Sequence, residues 1–168
     1  MSMDLGFSCK NKWFRYRAAA ILIEDGCALF AGNARSPYCY SVGGAVQHGE
    51  TAQEAVCREV LEETGVAYEV DRLAIIHESF FCDTQFGQER ECHEICFYFR
   101  MKPRGSQNLN SHSYSQGVRE YMYWLPIDQL DQYRAYPSFL QDYLSQDHSE
   151  ILHIVTDDRP VQKEKADI

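Results

Sequence analysis

Hydrophobic and polar positions along this chain follow two different periods. Over residues 92–101 the alternation is two: Ile95, Phe97, Phe99 and Met101 fall on one side, Glu94, Cys96, Tyr98 and Arg100 on the other. That pattern predicts a strand, with core packing as the default role of its aromatics. Apolar, strand-like runs also occur at 17–23, 27–31, 38–42, within 67–81 (including Leu73, Ala74, Ile75 and Ile76), at 119–125 and at 151–156. Glu24, Asp25 and Gly26 form a turn signal, so 17–23 and 27–31 are expected to pair as a hairpin. Residues 51–65 follow the helical period instead. Thr51 is placed to cap the first turn and Glu54, three residues on, completes a capping box. Gly65 stands where a helix stops in the left-handed conformation.

On a wheel of about 100° per residue, Ala52, Val56, Cys57, Val60 and Leu61 form an apolar arc, with Glu54, Arg58 and Glu62 opposite. Glu59 lies at the edge of that arc and Glu63 inside it. The two are one turn apart, and Glu62 adds a third carboxylate. Like charges at that spacing cost roughly 0.2–0.5 kcal/mol per pair on a free helix, and partial burial raises the cost. Arg58 offsets one charge, not three. A hard divalent cation such as Mg²⁺ takes oxygen ligands and answers the remainder. The extended stretch at 38–42 leads into Gly43 and Gly44, which let the backbone turn and approach a ligand closely. A strand, a glycine turn and a carboxylate helix make a cradle for metal and phosphate; the plain alternative is a solvated acidic helix.

The rest of the chain bounds the picture. A length of 168 residues with 45% hydrophobic and 24% charged positions is ordinary for one globular domain. The net charge of −9 argues against general binding to nucleic acid or anionic membranes, and leaves local cations to attract a polyphosphate. No apolar run is long enough to cross a bilayer. Seven cysteines without a secretion signal suggest free thiols and a cytoplasmic location. Cys92, His93 and Cys96 are close in sequence, and packing as small apolar groups is the favoured account of the cysteines over a zinc site. Residues 1–12 read as a loose start, 82–91 as a hairpin loop, and 103–117 as a long mobile loop. A helical region is expected from Pro126, interrupted by Pro137, with Ser138 as a restart cap. The end is charged and frayed.

Gly44, Glu50, Arg58, Glu59, Val60, Glu62, Glu63, Gly65 and Val66 occupy every defined position of the Nudix box, so the chain resembles that family of MutT-like hydrolases. Gln47 stands where many members carry Glu. The segment from Glu120 to Trp124, Leu125 and Pro126 extends a weaker resemblance over 17 to about 145. The resemblance implies an α/β class fold, the Nudix α/β/α sandwich with a mixed sheet. It is read as one domain over 1–168, with a core at about 17–157 and a charged tail at 158–168. It implies metal-dependent hydrolysis of a diphosphate bond in a nucleoside diphosphate linked to another moiety, such as a nucleoside triphosphate. Mg²⁺, with Mn²⁺ as an alternative, would be held by Glu59, Glu62, Glu63 and the carbonyl of Gly43. Arg58, with Glu50, would orient the glutamates. Gly44 and Arg35, in the loop at 32–37, would face the substrate. The general base is expected from a box glutamate or from Glu120, with His48 and His93 as further candidates. A small molecule is the expected partner, and a homodimer is left open. Residues 80–83 carry neither the proline of ADP-ribose hydrolases nor the tyrosine of dinucleoside polyphosphate hydrolases. Two alternatives stand beside this reading: a non-catalytic nucleotide sensor on the same fold, and a hydrolase of a non-nucleotide diphosphate.

Overall fold

The computed structural model of the chain describes residues 3–83, 89–115 and 117–160. In chain order the strands are β1 (Gly6–Cys9), β2 (Lys12–Ile21), β3 (Ile23–Glu24), β4 (Cys27–Asn33), β5 (Cys39–Ser41) and β6 (Gly43–Ala45), followed by helix α1 (Ala52–Thr64). Then come β7 (Val70–Asp83), β8 (Arg90–Met101), β9 (Tyr114–Ser115), β10 (Val118–Pro126), a 3₁₀ helix over Ile127–Gln132, β11 (Ala135–Tyr136), α2 (Phe139–Leu144) and β12 (Leu152–Asp157).

One sheet runs β1-β2-β8-β7-β12, with β6 also on β2; the other runs β11-β5-β4-β10-β9, with β3 on β4. Both are mixed. The β2–β8 and β7–β12 pairs are parallel, while β7–β8 is antiparallel. Strands buried on both faces must be apolar on both, and β2 shows how this chain does it. Ala18 and Ala20 join Val56 and Val60 of α1 in one core, while Ala19 and Ile21 join Leu130, Leu140 and Tyr143 in the other. Helices therefore cover both faces, and the α/β fold expected from the sequence is the one observed. The two faces of β8 divide as its alternation predicts: Phe99 and Met101 meet α1, and Cys96 and Tyr98 meet the α2 side.

Several expectations change. The segment at 1–12 is not loose where it is described: β1 pairs with β2, from Gly6 opposite Arg15 to Cys9 opposite Lys12. Only β3 and β4 form the expected hairpin, because β2 is drawn into the other sheet by its ten-residue pairing with β8. Of the loop expected at 82–91, residues 84–88 lie outside the described residues, and the flanks continue the ladder, with Cys82 opposite Glu91. Ser138 makes no capping hydrogen bond with its side chain, and its backbone is already helical. The tail from residue 161 lies outside the described residues. Among the described residues no helix is long and apolar enough to cross a membrane.

The segment read as a mobile loop at 103–117 is anchored along the part described. The buried Glu24 carboxylate accepts the backbone N–H groups of Arg104 and Gly105. Trp124 Nε1 donates to the Gln107 carbonyl at 3.0 Å. Asn110 N donates to the Thr64 carbonyl at 2.9 Å, tying the segment to the end of α1. Gly65 ends that helix at φ 70°, and a Cβ placed there would stand 2.0 Å from the Asn110 carbonyl oxygen. Gly65→Ala therefore meets both a left-handed backbone and a backbone clash. The conformation alone costs roughly 1–3 kcal/mol, so the urea midpoint should fall clearly. An unchanged midpoint would contradict this packing.

Candidate active site

Helix α1 has the ends predicted for it. Thr51 and Glu54 form a reciprocal capping box, and Gly65 is the left-handed stop. Its buried positions are Ala52, Ala55, Val56, Val60 and Thr64, whereas Leu61 is 50% exposed. The buried stripe is thus turned away from Leu61, so that Glu59, expected at the edge of the apolar arc, lies within it as Glu63 does. Thr64 tolerates burial because its hydroxyl donates to the Val60 carbonyl at 2.6 Å.

The carboxylates emerge into a cleft of about 550 Å³ that Glu59, Glu62, Glu63 and Glu120 share with Arg15, Arg17, Tyr40, Ser113, Gly43 and Gly44. Gly44 faces the helix and Gly43 faces β2, both at close range. A Cβ on Gly44 would stand 2.4 Å from Glu59 Oε1, and one on Gly43, at φ 142°, would stand 2.3 Å from the Ala18 carbonyl oxygen. Gly43 N donates to Glu63 Oε1 at 2.9 Å. Glu63 Oε2 is buried and has no hydrogen-bond partner among the described residues. Burial, reinforced by the nearby Glu120 and Glu59 charges against the Gly43 N–H, pushes the Glu63 carboxyl up to about 8. Burial also pushes Glu59 up, against the pull of Arg58.

Arg58 is the organiser of the helix side. Its Nη2 and Nε donate to Glu50 Oε1 and Oε2 at 2.6 and 3.2 Å, its Nη1 to Glu59 Oε1 at 2.6 Å, and its Nη2 also to the Ala45 carbonyl at 3.1 Å. A longer bond of 3.4 Å reaches Glu62. The surface alternative, a pair with Glu54, is not formed, since Glu54 is committed to Thr51. The Arg58 fork holds Glu50 below its ordinary range. Opposite the helix, Arg17 Nη2 donates to the carbonyls of Ser41 and Gly43 at 3.0 and 2.9 Å. Arg15 Nε is hydrogen-bonded to Glu94. Glu120, buried at the start of β10, accepts the hydroxyls of Tyr40 and Ser113.

Other candidates stand elsewhere. Arg35 is exposed in the turn after β4 and does not line the cleft; Arg15 and Arg17 are the cations found there. His48 is exposed beyond β6, and His93 packs between Phe14 and Phe80, so neither reaches the carboxylates. Strand alternation puts Cys92 and Cys96 on the face opposite His93, and both thiols are buried. Sequence reasoning missed Arg15, Arg17, Tyr40, Ser113 and the exposed His112. The one available signal was the shared strand face of Arg15 and Arg17, two residues apart.

Among the described residues no three His, Cys, Asp or Glu side chains converge as a ready cluster. The donor set nevertheless suits a hard cation: carboxylate oxygens beside a carbonyl, with one buried oxygen, Glu63 Oε2, that no described residue hydrogen-bonds. The Gly43 carbonyl keeps a second lone pair beyond the one Arg17 uses.

Comparison with known proteins decides the family. The model of the NUDIX domain matches residues 13–160. The chain belongs to the Nudix family. This is a family of hydrolases that cleave diphosphate bonds in small nucleotide derivatives, generally with divalent metals. A MutT-like protein of Streptomyces ambofaciens is 31% identical over 118 residues, spanning 70% of this chain and 67% of that one. Among solved structures, the MutT protein of Bacillus halodurans superposes with a TM-score of 0.65 at 19% identity, covering 87% of this chain and 91% of that one. The MutT protein of Methanosarcina mazei gives 0.60 at 18% identity, covering 82% and 94%. An ADP-ribose pyrophosphatase of Streptococcus suis gives 0.56 at 15% identity, covering 83% and 98%. At these identities the superpositions speak for the Nudix fold.

Proposed function

We propose that this Nudix hydrolase uses Mg²⁺, or Mn²⁺ in its place, to hydrolyse the diphosphate bond of a nucleoside diphosphate linked to another moiety, such as a nucleoside triphosphate. The observation that carries the reading is the buried Glu63 Oε2, without a hydrogen-bond partner among the described residues, in a cleft that Glu59 and Glu62 also line. An unpaired carboxylate is costly away from water, and a cation is the ligand that relieves it. Glu59, Glu62, Glu63 and the Gly43 carbonyl would hold the metal. When bound, it would neutralise charge on the phosphate oxygens and favour attack by water on phosphorus.

The chain's own groups supply the rest. Arg58, braced by Glu50, fixes the direction of Glu59. Gly44 has no side chain to block phosphate from the helix carboxylates. Arg15 and Arg17 place positive charge in a protein whose net charge is −9, where the overall field repels a polyphosphate. Glu120 faces the helix carboxylates across the cleft and takes the proton of the attacking water. The enzyme is read as a single cytoplasmic domain acting on a small molecule, without a nucleic-acid or membrane partner.

Phosphate and pyrophosphate release from a panel of nucleoside triphosphates, nucleotide sugars, dinucleoside polyphosphates and non-nucleotide diphosphates tests this reading. Turnover should require Mg²⁺ or Mn²⁺ and stop with chelator. Turnover undiminished by chelator would contradict it, and turnover confined to non-nucleotide diphosphates would replace the substrate class. Tight nucleotide binding by folded protein with no turnover on any compound would favour a sensor.

A further inference from the structure

Glu120 reaches the cleft from β10, and what aims it comes from three other segments. The Tyr40 hydroxyl, on β5, donates to Oε1, and the Ser113 hydroxyl donates to Oε2 at 2.6 Å. Both oxygens are therefore held, so the plane of the carboxylate is set as well as its position. Glu120 N also donates to the Ser113 carbonyl at 2.9 Å, which locks the serine to the start of β10.

The tyrosine is itself directed. Asn33 Nδ2 donates to the Tyr40 hydroxyl oxygen at 3.1 Å. The Asn33 amide can point only one way, because its Oδ1 accepts the backbone N–H groups of Arg35 and Ser36 at 2.9 and 3.1 Å. With an N–H arriving at the phenolic oxygen, the tyrosine proton is left to point at Glu120. The register supports the line, since Asn33 lies opposite Glu120 in the β4–β10 pair and Tyr40 opposite Ala31 in the β4–β5 pair. Ser113 belongs to the segment clamped at Glu24, and two residues earlier the Ser111 hydroxyl donates to the Glu63 carbonyl. One anchored segment thus touches both sides of the cleft.

We propose that Tyr40, oriented by Asn33, and Ser113 are positioning residues for the hydrolysis, acting through Glu120 by fixing the direction its carboxylate presents to the cleft. This rests on the function proposed above. It assigns the chemistry to Glu120 and the geometry to two hydroxyls from separate segments.

The test uses the full chain and whichever diphosphate of the panel it turns over fastest. Tyr40→Phe and Ser113→Ala should each lower kcat roughly tenfold, with KM held within about twofold, because only alignment of the reacting step is lost. Ser113→Thr, which keeps the hydroxyl, should restore most of kcat. In a Glu120→Gln background, Tyr40→Phe should add little, since both changes act on one interaction. Thermal melts confirm that each variant is folded; Tyr40→Phe retains the ring and serves if Ser113→Ala does not fold. Hydroxyl proton resonances in low-temperature ¹H NMR read the same bonds without turnover, one disappearing in each of the two deletions. Wild-type turnover that is unchanged by Tyr40→Phe, or losses that add fully with Glu120→Gln, would overturn the proposal alone. Wild-type protein that shows both resonances but hydrolyses nothing would overturn the function it rests on.

Discussion

Glu63→Gln should abolish most turnover, by at least about a hundredfold, in a protein that remains folded. The substitution keeps shape and keeps an oxygen for the Gly43 N–H, which bonds Glu63 Oε1 at 2.9 Å. It removes the charge at a carboxylate oxygen that is buried and has no hydrogen-bond partner among the described residues. Full turnover in a folded Glu63→Gln protein would remove Glu63 from the mechanism. The same variant makes a second, independent prediction for metal-free protein. In the fold the carboxyl is pushed up to about 8 from an ordinary 4.5. Below the ordinary value both states are protonated, and the group does not weaken the fold. Between the two values the unfolded chain releases a proton that the folded chain keeps, so stability falls as pH rises, by up to about 1.4 kcal/mol per unit. Glutamine does not titrate. In chelator, Glu63→Gln should therefore melt above wild type at pH 8, and the gap should close toward pH 4.5. An equal gap at both pH values would show that Glu63 is not the titrating group. Adding Mg²⁺ should raise the wild-type melting temperature and leave the variant nearly unmoved.

Arg58→Lys should lower kcat by about tenfold to a hundredfold, although it conserves charge. The guanidinium bonds Glu50 through two nitrogens, Glu59 at 2.6 Å and the Ala45 carbonyl at 3.1 Å. An ammonium is a point charge on a flexible stem and cannot hold that fork. Glu59 would then lose its fixed direction toward the cleft. Arg58→Ala removes the cation altogether and leaves Glu50 and Glu59, both partly buried, without their counter-charge. It should destabilise the protein by about 2–4 kcal/mol in urea unfolding. Glu50→Gln keeps one acceptor for the fork and should cost less in both assays. Wild-type kcat in Arg58→Lys would reduce the arginine to a surface ion pair.

Local signals explain why α1 was legible. A capping box, a terminal glycine and the helical period all act within a few residues, and they place Glu59 and Glu63 on one turn-spaced face with Glu62 three residues from Glu59. The orientation of that face was less accurate. The apolar side chain of Leu61 puts it in the predicted arc, yet it is exposed, while Ala55 and Thr64 are buried. Thr64 can enter the core only because Val60 and Val66 bond its hydroxyl, a contact that a hydrophobicity pattern does not register. The strands were mostly found, but not their partners. Asp25 and Gly26 announce the β3–β4 turn, whereas the parallel β2–β8 pairing joins residues about eighty apart and has no local signature.

The same distance hid half of the cleft. Arg17 reads as one basic residue in an apolar run until β6 pairs with β2 and brings it to the Gly43 carbonyl. Arg35 is a candidate only through the resemblance, which places a phosphate-contacting basic residue between these strands; in the fold it is exposed in the turn after β4, outside the cleft lining. Tyr40 and Ser113 carry no motif. They meet at Glu120 only because β4 pairs with both β5 and β10, and because Glu24 anchors the segment that delivers Ser113.

Mn²⁺ binding, followed by electron paramagnetic resonance on the wild-type protein and on folded Glu63→Gln, tests the central claim most directly. The account predicts that wild type removes free Mn²⁺ signal with saturable stoichiometry, that Mg²⁺ competes for the same sites, and that Glu63→Gln loses the tightest of them. Equal binding by the two proteins, or no binding by wild type, would contradict a metal site built on the carboxylate face of α1.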